Sequence, residues 1–454
     1  MNLDNKLLFE RYNFKQKFIT EGGAAGHMAH PYDLPDVTNG AELVRKFEEI
    51  PDLIDRLGGV VKIDGTNVSI KLIENEQGEK EFALDRGSTI QLDIDGVTIN
   101  RLERRFKPGH GMIESGKIIL KIFNTALPQI TNELRALKMW DDPTKFINSE
   151  FVRDKSQGTL NIVEYDKNFL ALHNISQFFE KTNRSTGSQR PGMKRPTTKD
   201  EAGKEIVRPE YKNLVSVPVK NFNHQALNSL AEKVEPIARQ FNFDIFTQIP
   251  VAKVKEPNYG PTLQQEVKIN VSGNPPEEQS KSLMEWLSQA SNPKNEVVTT
   301  VSGKKLNPLG KENYDNVFNS GQSLVGLYGE DENNRKAALD GALIYKATVE
   351  LGQEVKDSYS SDLAQTSSDQ EGIVVYLHEP KFKITGDFPL KDSPFRLMKT
   401  AQAEQDEQTA PGISFNKGYQ NVNAQSANYN ASSKDPGGTP YTRNPGPGKG
   451  VYFQ

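Results

Sequence analysis

Apolar residues recur at helical spacing across residues 39–57, where Leu43, Val44, Phe47, Ile50, Ile54 and Leu57 form one stripe. That spacing predicts a helix, and Gly58-Gly59 ends it. The pattern then changes to β-branched runs. Val60-Val61-Lys62-Ile63 enters an Asp64-Gly65 corner, and Val68 and Ile70 leave it, which predicts a hairpin or a sharp strand–turn–strand. Residues 81–84 and 91–99 read as further strands, the latter a pair about Asp95-Gly96. Residues 113–138 read as a helix that Pro128 kinks or splits. Strand patterns return at 146–152, and 161–165 with 169–175 read as the next hairpin. Helical spacing marks 224–241, with strand character over 243–254 and helices near 280–289 and 330–345. An apolar strand opens at Gly372, and Lys381 and Lys383 follow on one face of a last strand. Residues 1–20 carry Leu7, Leu8, Phe9, Tyr12, Phe14 and Phe18 among charges, as a short amphipathic helix or an anchoring arm would.

Composition narrows the setting. The chain has 454 residues and a formal net charge of -4, so no global basic field attracts nucleic acid, and such binding needs a local patch. Cysteine is absent, which excludes disulfides, thiolate metal sites and cysteine nucleophiles. No apolar run reaches the roughly 20 residues of a membrane helix, and the first residues lack a secretory pattern. These features lead us to expect a soluble protein of the cytoplasm with no membrane partner. From 181 to 208 the chain is basic among Ser, Thr, Gly and Pro, either a nucleic-acid contact or a solvated linker. After Ala401 it is rich in Gln, Asn, Gly, Ser and Pro, and we expect a disordered tail.

Several positions carry candidate chemistry. Lys62 stands just before the tight turn, flanked by aliphatic residues. Partial desolvation there favours a neutral, nucleophilic amine, whereas a solvated lysine in a hairpin is the plain alternative. Arg86-Gly87 ends a strand, and such a pair can aim a guanidinium at a phosphate or ribose, or merely make a turn. Glu150 is an acid among apolar neighbours, and buried acids are rare unless paired or ligating. Lys381 and Lys383 repel each other unless an anion lies between them or both are solvated; lysines also protect ordinary edge strands. His27 and His30 lie in a glycine-rich loop and lack a third ligand in the sequence pattern, so a structural or substrate-contacting loop is the better reading.

The order of these parts resembles the covalent nucleotidyltransferase superfamily of ATP-dependent DNA and RNA ligases and mRNA capping enzymes. Lys62-Ile63-Asp64-Gly65 matches the nucleophile motif, and the following Thr66-Asn67 is closest to phage RNA ligases of the double-strand-repair type. Arg86-Gly87, Glu150, Glu371-Gly372-Ile373-Val374-Val375 and Lys381-Phe382-Lys383 match later motifs in order. Leu172-His173-Asn174-Ile175 stands where the family has an aromatic-Asp-Ile. His173 takes the place of the ring that stacks on adenine, and Asn174 that of the acid. The motifs span about residues 60 to 390.

The resemblance implies that Lys62 attacks the α-phosphate of ATP and becomes lysyl-AMP. Lys381 and Lys383 would neutralise that phosphate, and Glu371 would help hold Mg²⁺. Asp64, Gly65, Asn67, Arg86, Glu150 and His173 would line the nucleotide site. AMP would pass to a 5′-phosphate end of RNA or DNA, to be displaced by a 3′-hydroxyl. An ATP-dependent polynucleotide ligase preferring RNA is therefore expected, in the host cytoplasm if viral. A DNA ligase, or a degenerate ligase fold serving as a phage structural or binding protein, is the alternative. The expected fold is α+β, with antiparallel sheets flanked by helices about an ATP cleft. Residues 1–180 and 356–400 would form the nucleotidyltransferase domain, 181–355 an insertion, and 401–454 the tail. The gap from His173 to Glu371 exceeds the family's usual spacing. Little patterned chain follows Lys383, which disfavours the DNA ligases and capping enzymes that continue into an OB domain.

Overall fold

A computed structural model describes residues 28–75, 77–85, 96–106, 110–157, 161–180, 197–199, 205–207, 214–272, 277–363, 370–377 and 379–391. The helix or arm expected over 1–20, His27, Arg86, residues 91–95 of the strand pair expected over 91–99, the tail from 401 and most of 181–208 lie outside these residues. The described chain is mixed α and β. Helix α1 (Gly40–Leu57) forms where the sequence pattern places it, with Asn39 accepting from the Glu42 amide as its N-cap and Gly58 closing it. Strand β1 (Gly59–Lys62) follows at once. Beyond the Asp64-Gly65 corner come β2 (Thr66–Glu74), β3 (Lys80–Asp85), α2 (Gly111–Ala136) and β4 (Lys145–Val152). Then come β5 (Phe169–Glu180), β6 (Leu214–Pro218), α3 (His224–Arg239) and β7 (Asp244–Phe246). Later elements that matter here are α4 (Leu283–Gln289), α5 (Glu332–Ser358), β8 (Gly372–Leu377) and β9 (Glu379–Ile384). Among the described residues, no helix is long and apolar enough to cross a membrane.

The chain divides into two compact units, whose described parts are residues 64–248 in the first and 28–63 with 249–391 in the second. Of the stretch 181–355, the described residues up to Gln248 belong to the first unit and those from Ile249 to the second. The first unit holds a six-stranded sheet in the order β3-β2-β4-β5-β6, with β7 joined to β5. All its pairs are antiparallel except β5 with β7. Strand period 2 sets its faces. Val68, Ile70 and Leu72 of β2 meet Ile147 and Phe151 of β4, and α2 and α3 cover them with Leu120, Phe123, Leu227 and Leu230. In the second unit β1, β8 and β9 form a three-stranded antiparallel sheet in that order. Ile373, Val375, Phe382 and Ile384 on one of its faces share a core with Ile54 of α1 and with Leu351 and Val355 of α5.

Several expectations give way. Of the two forms expected about Asp64-Gly65 the strand–turn–strand holds and the hairpin does not, because β1 pairs with β8 and β2 with β3 and β4. Residues 161–165 do not pair with 169–175. They form a loop with one isolated parallel bridge, Tyr165 to Asp154 just beyond β4, and β5 pairs with β4, β6 and β7 instead. The run 243–254 holds only β7 and a two-residue strand, Ala252–Lys253. Residues 280–289 divide between a strand, Glu278–Ser282, and α4, where Ser282 and Glu285 form a capping box. Helix α2 runs unbroken through Pro128, and α5 extends to Ser358 rather than 345.

Candidate functional site

The sequence-predicted residues fall into two sets, one in each unit, and Lys62 and Asp64 stand at the boundary in the chain. In the second unit, Lys62 is the last residue of β1 and faces Gly372 across the β1–β8 ladder. Its Nζ lies 2.7 Å from Oε1 of Glu371, and the two side chains are 19% and 11% exposed. An ion pair shielded to this degree is screened by salt far less than a surface pair. The next partners along the sheet are Val60 with Val374 and Val374 with Lys383. Directly opposed residues share a face, so Lys62, Val374 and Lys383 stand on the side away from the Ile373, Val375 and Ile384 core. Lys383 is half-buried and Lys381, two residues earlier, is exposed. This set thus brings three ammonium groups and one carboxylate to one small sheet, across strands spaced about 4.8 Å apart. Gly372 belongs here for a physical reason: a Cβ at that position would collide with the backbone carbonyl of Ile384 in β9. The strap that carries His30 also reaches this sheet, where the Lys383 amide donates to the Ala29 carbonyl at 2.8 Å.

In the first unit the Asp64-Gly65 corner is held by hydrogen bonds. The Asp64 amide donates to the Tyr165 hydroxyl at 3.0 Å. Its Oδ2 accepts from the amides of Ile162 at 2.6 Å and Val163 at 2.9 Å, and its carbonyl accepts from Asn161 Nδ2 at 2.8 Å. The Asp64 carboxylate therefore orders the 161–165 loop. The Gly65 amide donates to Glu150 Oε1 at 3.1 Å, and Glu150 Oε2 lies 3.2 Å from His173 Nε2. A Cβ on residue 65 would stand 2.8 Å from both Glu150 Cγ and the Phe151 carbonyl oxygen, so only glycine lets this corner close on the acid. Asn67 lies directly opposite Glu150 across the β2–β4 ladder.

His173 owes its position to a β-bulge. Ser149 pairs with Leu172 and Asn148 with Asn174, which leaves His173 as the extra residue on β5. Leu172 and Ile175 both face the core, so two residues lie between core positions where a regular strand has one. The sheet face opposite the core is consequently polar. Ser69, Lys71, Asp85, Asn148, Asn174 and Ser176 are all buried. Lys71 Nζ and Asp85 Oδ2 form an ion pair at 3.1 Å. Sequence reading missed Asn148, Tyr165 and this pair. The signal for Asn148 was its place two residues before Glu150, hence on the same face of β4.

Glu371 is the residue of this constellation fit to hold magnesium. That ion takes one or two carboxylates and otherwise phosphate oxygens and water, so a single acid beside lysines suits a phosphate-bound Mg²⁺ rather than an all-protein cage. Comparison with protein-family models, curated proteins and solved structures finds no match to this chain.

Proposed function

We propose that the chain is an ATP-dependent polynucleotide ligase that works through a lysyl-AMP on Lys62. The observation that carries this reading is the Lys62–Glu371 pair at 2.7 Å on the sheet face that Lys383 shares. A lysine nucleophile must reach the neutral form before it attacks, and Glu371, accepting from the Lys62 amine, holds that amine in place on the sheet. The neutral amine then attacks the α-phosphorus of ATP. The nitrogen–phosphorus bond forms, the bond from that phosphorus to the bridging oxygen breaks, and pyrophosphate departs. Lys383 and Lys381 offset the negative charge that builds on the α-phosphate oxygens, the role that fixed cations play in phosphoryl-group chemistry. Glu371 would hold magnesium, which when bound would supply further charge neutralisation at the phosphates. AMP passes next to a 5′-phosphate end, and a 3′-hydroxyl displaces it to close the strand. The resemblance to phage RNA ligases carries the choice of RNA over DNA.

The test is incubation with α-labelled ATP and magnesium, followed by denaturing separation, for wild type and Lys62→Ala. Label on wild type alone is the expected result. A folded wild type that takes no label from ATP, GTP or NAD would refute the proposal and favour a ligase-like fold that binds without reacting.

A further inference from the structure

The loop of residues 161–165 takes no part in the chemistry proposed above, yet it grips the residue two places after Lys62. The Asp64 amide donates to the Tyr165 hydroxyl at 3.0 Å, and the Asp64 carbonyl accepts from Asn161 Nδ2 at 2.8 Å. Its carboxylate Oδ2 accepts from the amides of Ile162 at 2.6 Å and Val163 at 2.9 Å. Four bonds from one short loop thus converge on a single residue, and the two to the carboxylate are of the strong, charge-assisted kind. Tyr165 is the fixed end of this grip. Its ring is 1% exposed and meets Phe169 of β5 edge to face, with centroids 5.2 Å apart. Its backbone is tied down as well, through the bridge to Asp154 and a carbonyl that accepts from the Lys155 amide at 2.8 Å. A close-packed ring leaves its hydroxyl little room to move. Phenylalanine would fill the same space and lack only the bond to Asp64.

Two residues span at most about 7 Å of chain, so Asp64 and Lys62 cannot move far independently. Ile63 between them is itself buried. A displaced Asp64 therefore displaces the nucleophile, and a misplacement of about 1 Å can lower a rate about a hundredfold. We infer that Tyr165 is a positioning residue for Lys62: by holding the Asp64 amide it fixes the path of the chain immediately after the lysine, and with it the setting of the lysine amine. Asp64 acts in this device as an acceptor for the loop amides rather than through its charge. The effect on reaction rate rests on the ligase reading above, whereas the placing of Lys62 does not.

The experiment follows single-turnover labelling of the full chain by α-labelled ATP and magnesium over a range of ATP concentrations. It compares wild type with Tyr165→Phe, Asp64→Asn and Asp64→Ala, with melting temperatures alongside. Tyr165→Phe is expected to lower the limiting rate by about tenfold or more while the half-saturating ATP concentration changes little. Asp64→Asn keeps an oxygen for the two amides and should slow labelling far less than Asp64→Ala. A merely structural Tyr165 would lower the melting temperature and leave the limiting rate of the folded protein intact, which overturns the inference. An Asp64→Asn as slow as Asp64→Ala, the mark of a role for the charge, overturns it too. In a second arm, without nucleotide, a trace of acetic anhydride acetylates the lysines, and mass spectrometry reads Lys62 against the exposed Lys121. Loosening the corner should raise that ratio in Tyr165→Phe, and an unchanged ratio overturns the inference. This arm needs no reaction with ATP: a ratio that rises in a protein that takes no label leaves the placing of Lys62 by Tyr165 standing and sinks the ligase reading. If Tyr165→Phe does not fold, Asn161→Ala removes the bond to the Asp64 carbonyl instead and is read in the same two ways.

Discussion

Replacing Lys71 by methionine should destabilise the first unit strongly. Lys71 and Asp85 are 3% and 0% exposed at their side chains, 3.1 Å apart, and Lys71 Nζ also lies 5.0 Å from the Phe178 ring centroid. Methionine fills much the same volume but leaves the Asp85 carboxylate buried beside an apolar neighbour. Breaking a buried pair in this way costs about 3–5 kcal/mol, mostly the penalty of the remaining charge. With a urea slope of roughly 2 kcal/mol/M, the unfolding midpoint should fall by about 1.5–2.5 M. Each unit holds one of the two tryptophans, Trp140 in the first and Trp286 in the second. Trp140 fluorescence in a Trp286→Phe background therefore reports the relevant transition. Removing both charges, as Lys71→Met with Asp85→Leu, should recover most of the loss, since an apolar replacement of a buried pair is often near neutral. A midpoint shift under about 0.5 M for Lys71→Met, or a double variant no better than the worse single one, would refute the argument.

Other consequences can be measured directly. Gly372→Ala should cost about 1–3 kcal/mol, because its methyl meets the Ile384 carbonyl and β9 must shift away from β8; labelling of Lys62 should fall with it, and unchanged melting and labelling would contradict that geometry. Asn39→Ala should lower stability by about 1 kcal/mol through loss of the α1 N-cap, read by thermal melting. Burial raises the Asp340 carboxyl above its ordinary range despite the opposing pull of Lys336. A raised acid favours the folded state when protonated, so its contribution is fullest below the unfolded value and declines as pH rises through the folded one. Asp340→Asn, which keeps an acceptor for the Ser291 amide, should therefore raise the melting temperature more at pH 7 than at pH 3.5, and the reverse order would count against it.

Much of this protein was legible in the order of its residues. The α1 stripe, its glycine end and the core positions of α3 follow from periodicity, because a helix satisfies its own backbone and needs only one apolar face. Glu150 stood out as an acid among apolar neighbours, and Lys62, Glu371 and Lys383 by their motifs. Strand period also put Lys381 and Lys383 on one side. What the residue order did not contain was the choice of partner. A β-branched run declares its faces but not its neighbour, since the hydrogen bonds of a strand lie outside it. Only tertiary structure decided that β1 joins β8 rather than β2, which sets Lys62 beside Glu371 across 309 positions of chain, 371 less 62. The bulge at His173 and the seating of Asn67 on Asn148 depend likewise on register, a property that two strands possess together and neither possesses alone.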